Sequence, residues 1–479
     1  MNRFKRILLT RPPTVNALLG NKCSDPYPQP SLSLASIAAV LEDKMEVLPI
    51  FDGNFSEKYV EDLVSLVKSK HPDVVGFSVF TPFAKKVFEC AKLVKKIDSK
   101  ILVILGGPHG AVLPYETLNR CVDIDVIICG EGEITIQELM SGKPFKNVAG
   151  IAFRDNRKVI MTRQRSHIKD LDSLPYPAYH LLPNFPKGYK PHPPKSLGGV
   201  WSSIMWSRGC PFMCTYCCRE ASFGRTFRCN SPEYMTNLIN YLHSQYGIDE
   251  LTFYDDVFSL NRFKTIKLLE AMYPEKLGFR LNWDCETRVD LVDPELLRAM
   301  KLVGCRTIAY GIEHGLWIHR IKGGGATLKQ AEKAVRWTHE ADINTIGYFM
   351  VGLPNETPDT IRKTIDFAKR LDVTWAQFSI LVPLPGCELY KQAVASGLIK
   401  TGENWNKYIY AGSNGVDIPV LLSDVLSKEE LAYWRRHAYR EFYLRRKYIM
   451  KRLFSVRSWR DLKLNIAGLK MLFSMIHGK

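Results

Sequence analysis

The sequence predicts an α/β protein: an N-terminal doubly wound, Rossmann-like domain, then a partial (β/α)6 barrel, then a helical C-terminal region. Three observations support this fold class. Short apolar, β-branched runs alternate with helix-period segments to about residue 400, which is typical of parallel strands buried on both faces. Seven prolines between Pro175 and Pro194 interrupt the alternation, and such a density marks a domain boundary. The six strand–helix units after them are fewer than the eight that close a barrel.

The first domain is predicted to span residues 1–148 and to contain five parallel strands. Each strand is a short apolar run, and segments of helical periodicity separate the runs. The predicted strands are Ile7–Thr10, Glu46–Ile50, Val74–Phe80, Ile101–Gly106 and Val126–Cys129. The predicted helices lie near Ser31–Glu42, Phe55–Lys70, Pro82–Asp98 and Thr135–Met140. A hairpin that turns at Asp155-Asn156 and the proline-rich linker are expected over residues 149–198.

Three loops at the carboxyl ends of these strands are candidates for a ligand site, because doubly wound sheets bind ligands at that edge. Glycines there let a backbone approach a ligand closely, although any one loop is also explained by ordinary turn chemistry. Three such loops on one edge favour a large flat ligand. The candidate binding residues are Ser78, Thr81, Gly106, Gly107, Pro108, His109, Gly130, Glu131 and Gly132.

The second domain is predicted to be a partial barrel over residues 199–400, with its chemistry at the carboxyl ends of the strands. Its predicted strands are Val200–Trp206, Leu251–Tyr254, Phe279–Glu286, Thr307–Gly311, Thr345–Val351 and Gln377–Leu381. Helix start signals separate the strands, including Ser231, Asp293 and Thr357, each followed by proline. Thr327 with Gln330 predicts a capping box.

Three cysteines on the loop after the first barrel strand form the strongest chemical motif. Cys210, Cys214 and Cys217 have the spacing C-x3-C-x2-C, and Cys218 follows directly. Each of three thiolates on one tight loop can bind one iron of a [4Fe–4S] cube, which leaves the fourth iron open. Zinc is the alternative, but a structural zinc site needs four ligands. The spacing therefore favours an iron–sulfur cluster that can bind a small molecule.

This motif and the residues at the barrel strand ends resemble those of the radical S-adenosylmethionine enzymes. The resemblance implies that the open iron chelates S-adenosylmethionine and that an electron from the cluster cleaves it to a 5′-deoxyadenosyl radical. It implies Tyr216 over the adenine and Asp255 and Asp256 as an acidic cofactor-contacting site; these three are the candidate catalytic residues. It also implies cofactor contacts from Arg288, Glu313 and Met350. Helix caps at the two aspartates and an Arg288–Glu313 ion pair are the structural alternatives.

The first domain resembles the cobalamin-binding module that precedes the barrel in many radical enzymes. The resemblance rests on the three strand-end loops and, with the barrel, spans roughly residues 1–400. The histidine-ligating version of this module carries D-x-H-x-x-G, whereas this chain has Asn54 in place of the histidine and Glu57 in place of the glycine. The resemblance therefore implies cobalamin bound without a histidine ligand. His109 is the one exception to consider, and packing of His109 within its loop is the favoured interpretation.

Three other functions compete with a methyltransferase. Methylthiotransferases carry a second cluster and an RNA-binding barrel, but Cys23, Cys90, Cys121 and Cys129 are interpreted as small buried residues and the tail as helical. A tetrapyrrole or lipid cyclase or oxidase remains as an alternative within the superfamily. A cobalamin or electron carrier would not need Arg288 and Glu313. The resemblance favours methyl transfer to an unactivated carbon, with a flavodoxin or ferredoxin as electron donor.

The basic charge is concentrated in the C-terminal tail. The chain carries a net charge of +17, and 13 of its Lys and Arg residues lie between Arg435 and Lys479. Ser427 and Glu430 predict a capping box that opens a helical region over residues 401–479. An apolar stripe continues through Trp459, Leu462, Ile466, Leu469, Phe473 and Ile476.

A basic amphipathic helix of this kind favours an anionic membrane surface, with a helix packed on the barrel as the alternative. Nucleic acid is not an expected partner, since no aromatic-interleaved strand motif is present. No apolar run reaches the roughly 18 residues of a membrane span, and the first ten residues do not form a signal peptide. We expect a cytoplasmic protein, peripheral at the membrane, that acts on a lipid or other hydrophobic small molecule.

Overall fold

The computed structural model describes residues 4–14, 27–192, 195, 198–218, 220–399, 405, 408, 422–423 and 425–454. The first domain contains one eight-stranded sheet. Its strands are β1 (Arg6–Arg11), β2 (Glu46–Val47), β3 (Phe51–Asp52), β4 (Val74–Ser78), β5 (Leu102–Gly106), β6 (Val126–Ile128), β7 (Ile151–Asp155) and β8 (Lys158–Met161). β1 to β6 pair in parallel, whereas β7 and β8 are antiparallel additions.

Six helices accompany this sheet in the described part of the domain. They are α1 (Leu32–Ala39), α2 (Tyr59–Lys70), α3 (Ala84–Ile97), α4 (Pro108–Val112), α5 (Pro114–Arg120) and α6 (Glu133–Met140). The doubly wound prediction is confirmed, with two differences. The predicted strand Glu46–Ile50 is two short strands, both paired with β1. Pro108 and His109, predicted in a loop, begin helix α4.

The hairpin and the linker are part of the packed structure. The hairpin strand β7 pairs with β6, and its first three residues are buried, so the hairpin extends the first sheet. In the linker, the Ala178 amide donates a hydrogen bond of 3.0 Å to the Ala35 carbonyl in the first domain. The buried Tyr179 hydroxyl donates to the Ser203 carbonyl of the barrel at 3.3 Å. The proline-rich segment therefore packs against both domains.

The partial barrel is confirmed as a sheet of six parallel strands. The order across the sheet is β9 (Trp201–Ile204), β12 (Glu250–Phe253), β13 (Asn282–Thr287), β14 (Cys305–Glu313), β15 (Asn344–Val351) and β16 (Trp375–Ile380). Two further short strands, β10 (Ser207–Arg208) and β11 (Arg228–Cys229), pair antiparallel directly after β9. In the described residues β9 and β16 do not pair with each other, so the barrel is open between them.

The helices of the barrel begin at most of the predicted caps. They are α7 (Glu220–Phe223), α8 (Pro232–Tyr246), α9 (Arg262–Ala271), α10 (Pro274–Leu277), α11 (Pro294–Leu302), α12 (Ile318–Ile321), α13 (Leu328–Glu340), α14 (Pro358–Leu371) and α15 (Glu388–Ala395). Ser231, Asp293 and Thr357 each accept a bond from a first-turn amide. The capping box predicted at Thr327 forms only in part. The Thr327 hydroxyl accepts from the Gln330 backbone amide as expected, but the Gln330 side chain accepts from the Thr327 hydroxyl and not from the Thr327 backbone amide.

Two C-terminal helices follow the barrel, α16 (Lys428–Tyr443) and α17 (Arg446–Phe454). The capping box at Ser427 and Glu430 is confirmed. α16 covers the open edge of β16: the Tyr439 hydroxyl accepts from the Phe378 amide at 3.1 Å, and the Tyr443 hydroxyl accepts from the Ala376 amide at 3.0 Å. The stripe from Trp459 to Ile476 lies outside the described residues. In the part of the chain that is described, no helix has the length and apolar character to cross a membrane.

Candidate active site between the two domains

The three motif cysteines lie on the loop that joins β10 to β11. Gly209, with a φ of +90°, turns the chain into this loop, a conformation that side chains rarely adopt. The loop is fastened to the barrel on two sides. The Thr215 amide donates to the Ile321 carbonyl at 3.0 Å, and the Thr215 carbonyl accepts from the Leu389 amide at 3.0 Å. The loop is therefore held at the carboxyl ends of the barrel strands.

The arrangement of the cysteines fits a cluster better than a single ion. Cys210, Cys214 and Cys217 are all partly exposed and unbridged. Burial raises the pKa of Cys210, and the charges of Asp256, Cys214 and Cys217 nearby raise it further. Among the described residues no three His, Cys, Asp or Glu side chains converge on one ion-sized point. A zinc ion would need such convergence, whereas in a cube each thiolate binds a different iron.

Arg288 lies directly after β13 and faces the cluster loop. Its side chain is buried, and it forms an ion pair of 2.9 Å with Asp290. One guanidinium nitrogen lies 3.9 Å from the Cys214 sulfur, and the guanidinium stacks 3.6 Å from the Phe212 ring centre. The Arg288–Glu313 ion pair, the structural alternative for these residues, is therefore not formed. Arg288 brings positive charge to the edge of the cysteine loop.

Glu313 is joined to the cluster loop by a buried network. The Tyr216 hydroxyl donates to its carboxylate at 2.7 Å, and Lys322 forms an ion pair with it at 3.1 Å. Burial and the Glu313 charge raise the pKa of Tyr216 well above its ordinary value, so the phenol stays protonated. Glu313 has a φ of +69°, a costly conformation for this residue type. Strain of this kind is common where a side chain must be aimed at a ligand.

Asp255, at the end of β12, holds the beginning of the cluster loop. Its Oδ1 atom accepts from the Trp206 amide at 3.1 Å and from the Ser207 amide and hydroxyl at 2.5 and 2.6 Å. Burial raises the pKa of Asp255 to about 7. These bonds show that Asp255 holds β10 in place. They go to the segment before the cluster loop, so Asp255 does not act as the helix cap that was its structural alternative. Asp256 contributes charge near Cys210.

The segment that includes Met350 is apolar and is fastened by a buried pair. Met350 is buried with Leu353 and Leu381 in a hydrophobic cluster that spans both domains. The Glu356 carboxylate accepts from the Leu353 amide at 3.0 Å and lies 2.9 Å from the ring of His314. Since His314 directly follows Glu313, this pair links the ends of β14 and β15.

The loops predicted to bind a flat ligand meet at one edge of the first sheet. Gly107, with a φ of +90°, packs so closely on Val79 that a Cβ atom would lie 2.7 Å from the Val79 amide nitrogen. Gly130 also has a positive φ, and a Cβ atom there would have no neighbour within 4 Å. Gly107 therefore serves loop packing, whereas Gly130 presents open backbone. Ser78, Gly106 and Gly132 lie at the same edge.

His109 is packed inside the loop that follows β5. Its side chain is fully buried, and its two ring nitrogens lie 3.3 Å from the Thr81 hydroxyl and 3.2 Å from the Thr117 hydroxyl. Burial lowers the pKa of His109 to about 3. Asn54 is also buried, and its amide oxygen accepts from the Thr14 amide at 2.8 Å. Both side chains are buried with hydrogen-bond partners of their own, and the interpretation that His109 packs inside its loop agrees with this geometry.

Glu131 joins the two domains. Its carboxylate accepts from Arg208 at 3.0 Å, from Arg228 at 2.8 and 2.9 Å, and from the Ile168 amide at 2.8 Å. Glu133 adds a bond of 2.7 Å to Arg208. Arg208 lies two residues before Cys210, so the loop of the first domain is tied directly to the cluster loop. The Glu131 side chain was predicted to contact the cofactor, but it is hydrogen-bonded to Arg208 and Arg228 of the barrel instead.

The comparisons with known proteins agree with this arrangement. The B12 binding domain family matches residues 24–140, and the radical SAM superfamily matches residues 204–368. The solved structure of OxsB, a cobalamin-dependent S-adenosylmethionine radical enzyme, has a TM-score of 0.73 at 16% identity and covers 99% of this chain and 72% of its own. An uncharacterized methyltransferase of Pyrococcus horikoshii is 34% identical over 94% of this chain and 95% of its own length.

The chain belongs to the cobalamin-dependent radical S-adenosylmethionine methyltransferases. The cofactors of this family are a [4Fe–4S] cluster, S-adenosylmethionine and cobalamin. The chain is also similar, at lower identity, to proteins of other activity. The anaerobic magnesium-protoporphyrin IX monomethyl ester cyclase of Cereibacter sphaeroides is 27% identical over 81% of this chain and 62% of its own length. The hypothesis of a non-enzymatic carrier is therefore wrong.

The described cysteines of the first domain, Cys90, Cys121 and Cys129, do not form a second site in this methyltransferase. Cys90 and Cys121 are buried in the core, and Cys129 is partly buried. Burial raises the pKa of Cys90 to about 12 and that of Cys129 to about 11, so these thiols stay protonated. Cys23 lies outside the described residues. The structure therefore supports the interpretation of Cys90 and Cys121 as small buried residues.

Sequence reasoning missed the partners of several site residues. Arg208, Arg228 and Lys322 hold Glu131 and Glu313 but belong to no motif that the sequence singled out. The sequence positions of two of these residues could have indicated their role. Arg208 lies two residues before the cluster motif, and Lys322 directly precedes three consecutive glycines at 323–325. Basic residues beside a glycine-rich or cysteine-rich loop are candidates for positioning charged site residues.

Cobalamin bound to this methyltransferase is expected to lack a protein nitrogen ligand on cobalt. The prediction rests on the burial of Asn54 and His109 and on the hydrogen-bond partners that each already has. In the Co(II) state, the electron paramagnetic resonance spectrum should show no strong nitrogen coupling, and H109Q should leave the spectrum unchanged. Nitrogen coupling that disappears in H109Q would contradict the prediction.

Proposed function

We propose that this enzyme transfers a methyl group to an unactivated carbon of a lipid or another hydrophobic small molecule. The observation that carries the proposal is the contact between the two cofactor-binding faces through Glu131, Arg208 and Arg228. When bound, the cluster with S-adenosylmethionine supplies a radical that removes a substrate hydrogen atom, and cobalamin supplies the methyl group. A shared boundary lets both groups reach one substrate carbon.

Roles for individual residues follow from their placement. We propose that Cys210, Cys214 and Cys217 hold the cluster and that Arg288 and Glu313 orient S-adenosylmethionine beside it. Tyr216 would keep Glu313 aligned through its hydrogen bond, and Asp255 would orient the loop. Ser78, Gly106, Gly130 and Gly132 would face cobalamin with backbone and small side chains. Thr81 and His109 would not contact cobalamin through their side chains, because these are buried and lie within hydrogen-bond distance of each other.

The hydrophobic character of the substrate is supported by the surroundings of the site. Met350, Leu353 and Leu381 of the barrel are buried in one apolar cluster with side chains of the first domain. An apolar boundary between two cofactor sites favours a substrate with a large apolar body. The second candidate, a cyclase or oxidase of a tetrapyrrole or lipid, is favoured by the similarity to the anaerobic cyclase.

One experiment separates these functions. The reconstituted, reduced enzyme is incubated with S-adenosylmethionine carrying a deuterated methyl group and with the total lipid and polar extracts of its host. We expect a lipid-fraction product that gains the deuterated methyl, formed together with deoxyadenosine. An unlabelled product that has lost hydrogen would favour the cyclase or oxidase, and a labelled product only in the polar fraction would contradict the hydrophobic substrate.

An anionic membrane surface is the further partner that we propose, with a flavodoxin or ferredoxin as electron donor. In α17, the apolar side chains of Ile449, Met450, Leu453 and Phe454 are 42–78% exposed among basic residues. The basic side chains add about 1 kcal/mol each near an anionic surface, which gives reversible binding. In liposome flotation with anionic vesicles at low salt, we expect the full chain to float more than a chain truncated after Arg445, which lacks α17 and the residues after it. Equal flotation would assign the tail to packing on the protein.

A further inference from the structure

Glu313 occupies a strained turn at the end of β14. The His314 amide donates to the Ile312 carbonyl at 2.8 Å, which closes a turn of three residues centred on Glu313. Together with the φ of +69° at Glu313, this bond makes the turn a γ-turn of the rare, strained form. One extra residue of β14 is inserted against β15 at the same point. An insertion of this kind re-aims a side chain, so the backbone here is shaped around the direction of Glu313.

Among the described residues, the contacts of the Glu313 carboxylate are made by one of its two oxygens. The Tyr216 hydroxyl lies 2.7 Å and the Lys322 ammonium 3.1 Å from the same atom, Oε1. A carboxylate accepts hydrogen bonds at both oxygens. The strained turn therefore carries a side chain that can accept a further donor at Oε2.

His314, the next residue, is fastened on both sides of its ring. Its Nδ1 atom lies 3.1 Å from the Leu316 amide nitrogen and 3.2 Å from the Trp317 amide nitrogen. A backbone amide can only donate, so Nδ1 accepts and the ring hydrogen lies on Nε2. Nε2 then donates to Glu356 Oε1 at 2.9 Å. The ring also stacks on the Trp317 indole, with 4.5 Å between the ring centres.

Glu356 connects this histidine to the neighbouring strand. Its Oε2 atom accepts from the amides of Gly352 and Leu353, the two residues that follow β15. Gly352 has a φ of +89°, so the carboxylate closes a turn that glycine makes possible. His314 and Glu356 are both fully buried. A conformation as strained as that of Glu313 persists only where its surroundings fix it, and this buried pair lies directly beside it.

We propose that His314 is a positioning residue for S-adenosylmethionine, because its bonds to the following chain and to Glu356 hold Glu313 in the strained turn that presents the carboxylate to the cofactor. The inference rests on the proposed role of Glu313 toward S-adenosylmethionine. Without the bonds of His314, residue 313 relaxes to an ordinary φ and its carboxylate changes direction. The same bonds fix the Gly352 turn, so the segment that carries Met350 is held together with Glu313.

Binding of S-adenosylmethionine measures the first consequence. H314N keeps an acceptor for the two amides but loses the bond to Glu356, and E356Q removes the carboxylate. Calorimetric titration of the reconstituted enzyme, without reductant, should show an affinity about tenfold weaker in both variants at unchanged iron content, as expected when a residue that supports a direct ligand is lost. H339N is the matched control, because His339 contacts Thr345 at 2.9 Å at the opposite end of β15. H339N should leave the affinity unchanged.

Unfolding in urea measures the second consequence. Glycine adopts a positive φ without strain, so E313G removes the need for the bonds of His314. We expect H314N to lower the urea midpoint less than half as much in the E313G background as in the wild-type background. H339N should lower the midpoint equally in both backgrounds. If H314N alone does not fold, E313G should restore its folding.

Three results would overturn the inference. Unchanged affinity for S-adenosylmethionine in H314N and E356Q, or an equal loss in H339N, would contradict the positioning role. Equal midpoint shifts of H314N in the two backgrounds, or failure of E313G to restore folding, would show that His314 does not hold the strained turn. E313Q tests the proposed role of Glu313 by itself: unchanged affinity in E313Q would contradict that role, whereas the midpoint comparison would still report the hold of His314 on the turn.

Discussion

Replacing Cys214 by alanine is expected to remove the [4Fe–4S] cluster and to abolish deoxyadenosine formation. With two thiolates, the loop cannot hold three irons of a cube. The loss should exceed the roughly 10–100-fold that a change beyond the direct ligands costs. The same result is expected for C210A and C217A. Iron and sulfide analysis, the visible absorption and deoxyadenosine assays measure the effect.

The neighbouring cysteine provides the matched control. Cys218 packs against the apolar cluster that spans the two domains. C218A should therefore keep the iron content and the visible spectrum, as should C229A. If C218A loses the cluster while C217A keeps it, the assignment of the three ligands is wrong. Retention of full iron in all three ligand variants would instead contradict a cysteine-bound cluster.

Replacing Arg228 by methionine is expected to destabilise the protein by about 3–5 kcal/mol, the cost of breaking a buried ion pair on one side. The Glu131 side chain is 3% exposed, so in the variant its charge has fewer buried partners. Urea unfolding measures the free energy, and limited proteolysis of the linker reports separation of the domains. Because Glu131 lies in the first domain and Arg228 in the barrel, both measurements should respond.

Acid should weaken the same contact. Burial would raise the pKa of Glu131, but the Ile168 amide, Arg208 and Arg228 outweigh burial and lower the pKa below the ordinary 4.5. The stabilisation by Glu131 is therefore present above pH 4.5 and is lost as the pH falls through the lowered value.

R262M is the control for R228M, because Arg262 forms exposed ion pairs with Asp293 and Glu295, which contribute about 0–1 kcal/mol. Equal destabilisation by R228M and R262M would contradict a structural role for the domain contact.

The order of strands and helices could be predicted from the sequence because each element carries its own local signal. The apolar runs of β4 and β5 and the serine, aspartate and threonine caps of α8, α11 and α14 are readable without knowledge of distant residues. The spacing of Cys210, Cys214 and Cys217 is local for the same reason. A ligand set that lies on one loop is complete in the sequence itself.

Contacts between distant segments could not be predicted in the same way. Glu131 and His109 were both predicted among the cofactor-binding residues, because both belong to loops at the correct end of the sheet. The direction of each side chain depends on what packs against its loop. Arg228 is 97 residues from Glu131, and Thr117 confines His109 within the core. The hairpin at β7 joined the first sheet for a related reason, since pairing with β6 buries both strands.

The sequence by itself determined the fold class, the domain order, the cluster motif and the family of this methyltransferase, because alternation, capping and cysteine spacing are local properties of the chain. Only the tertiary structure decided that Glu131 ties the first domain to the cluster loop and that Lys195 of the linker pairs with Asp284 and Glu286 of the barrel. The partners of Lys195 are about 90 residues distant, at Asp284 and Glu286. A buried charge is determined by whatever the fold brings within 4 Å of it, and sequence spacing carries no information about that distance.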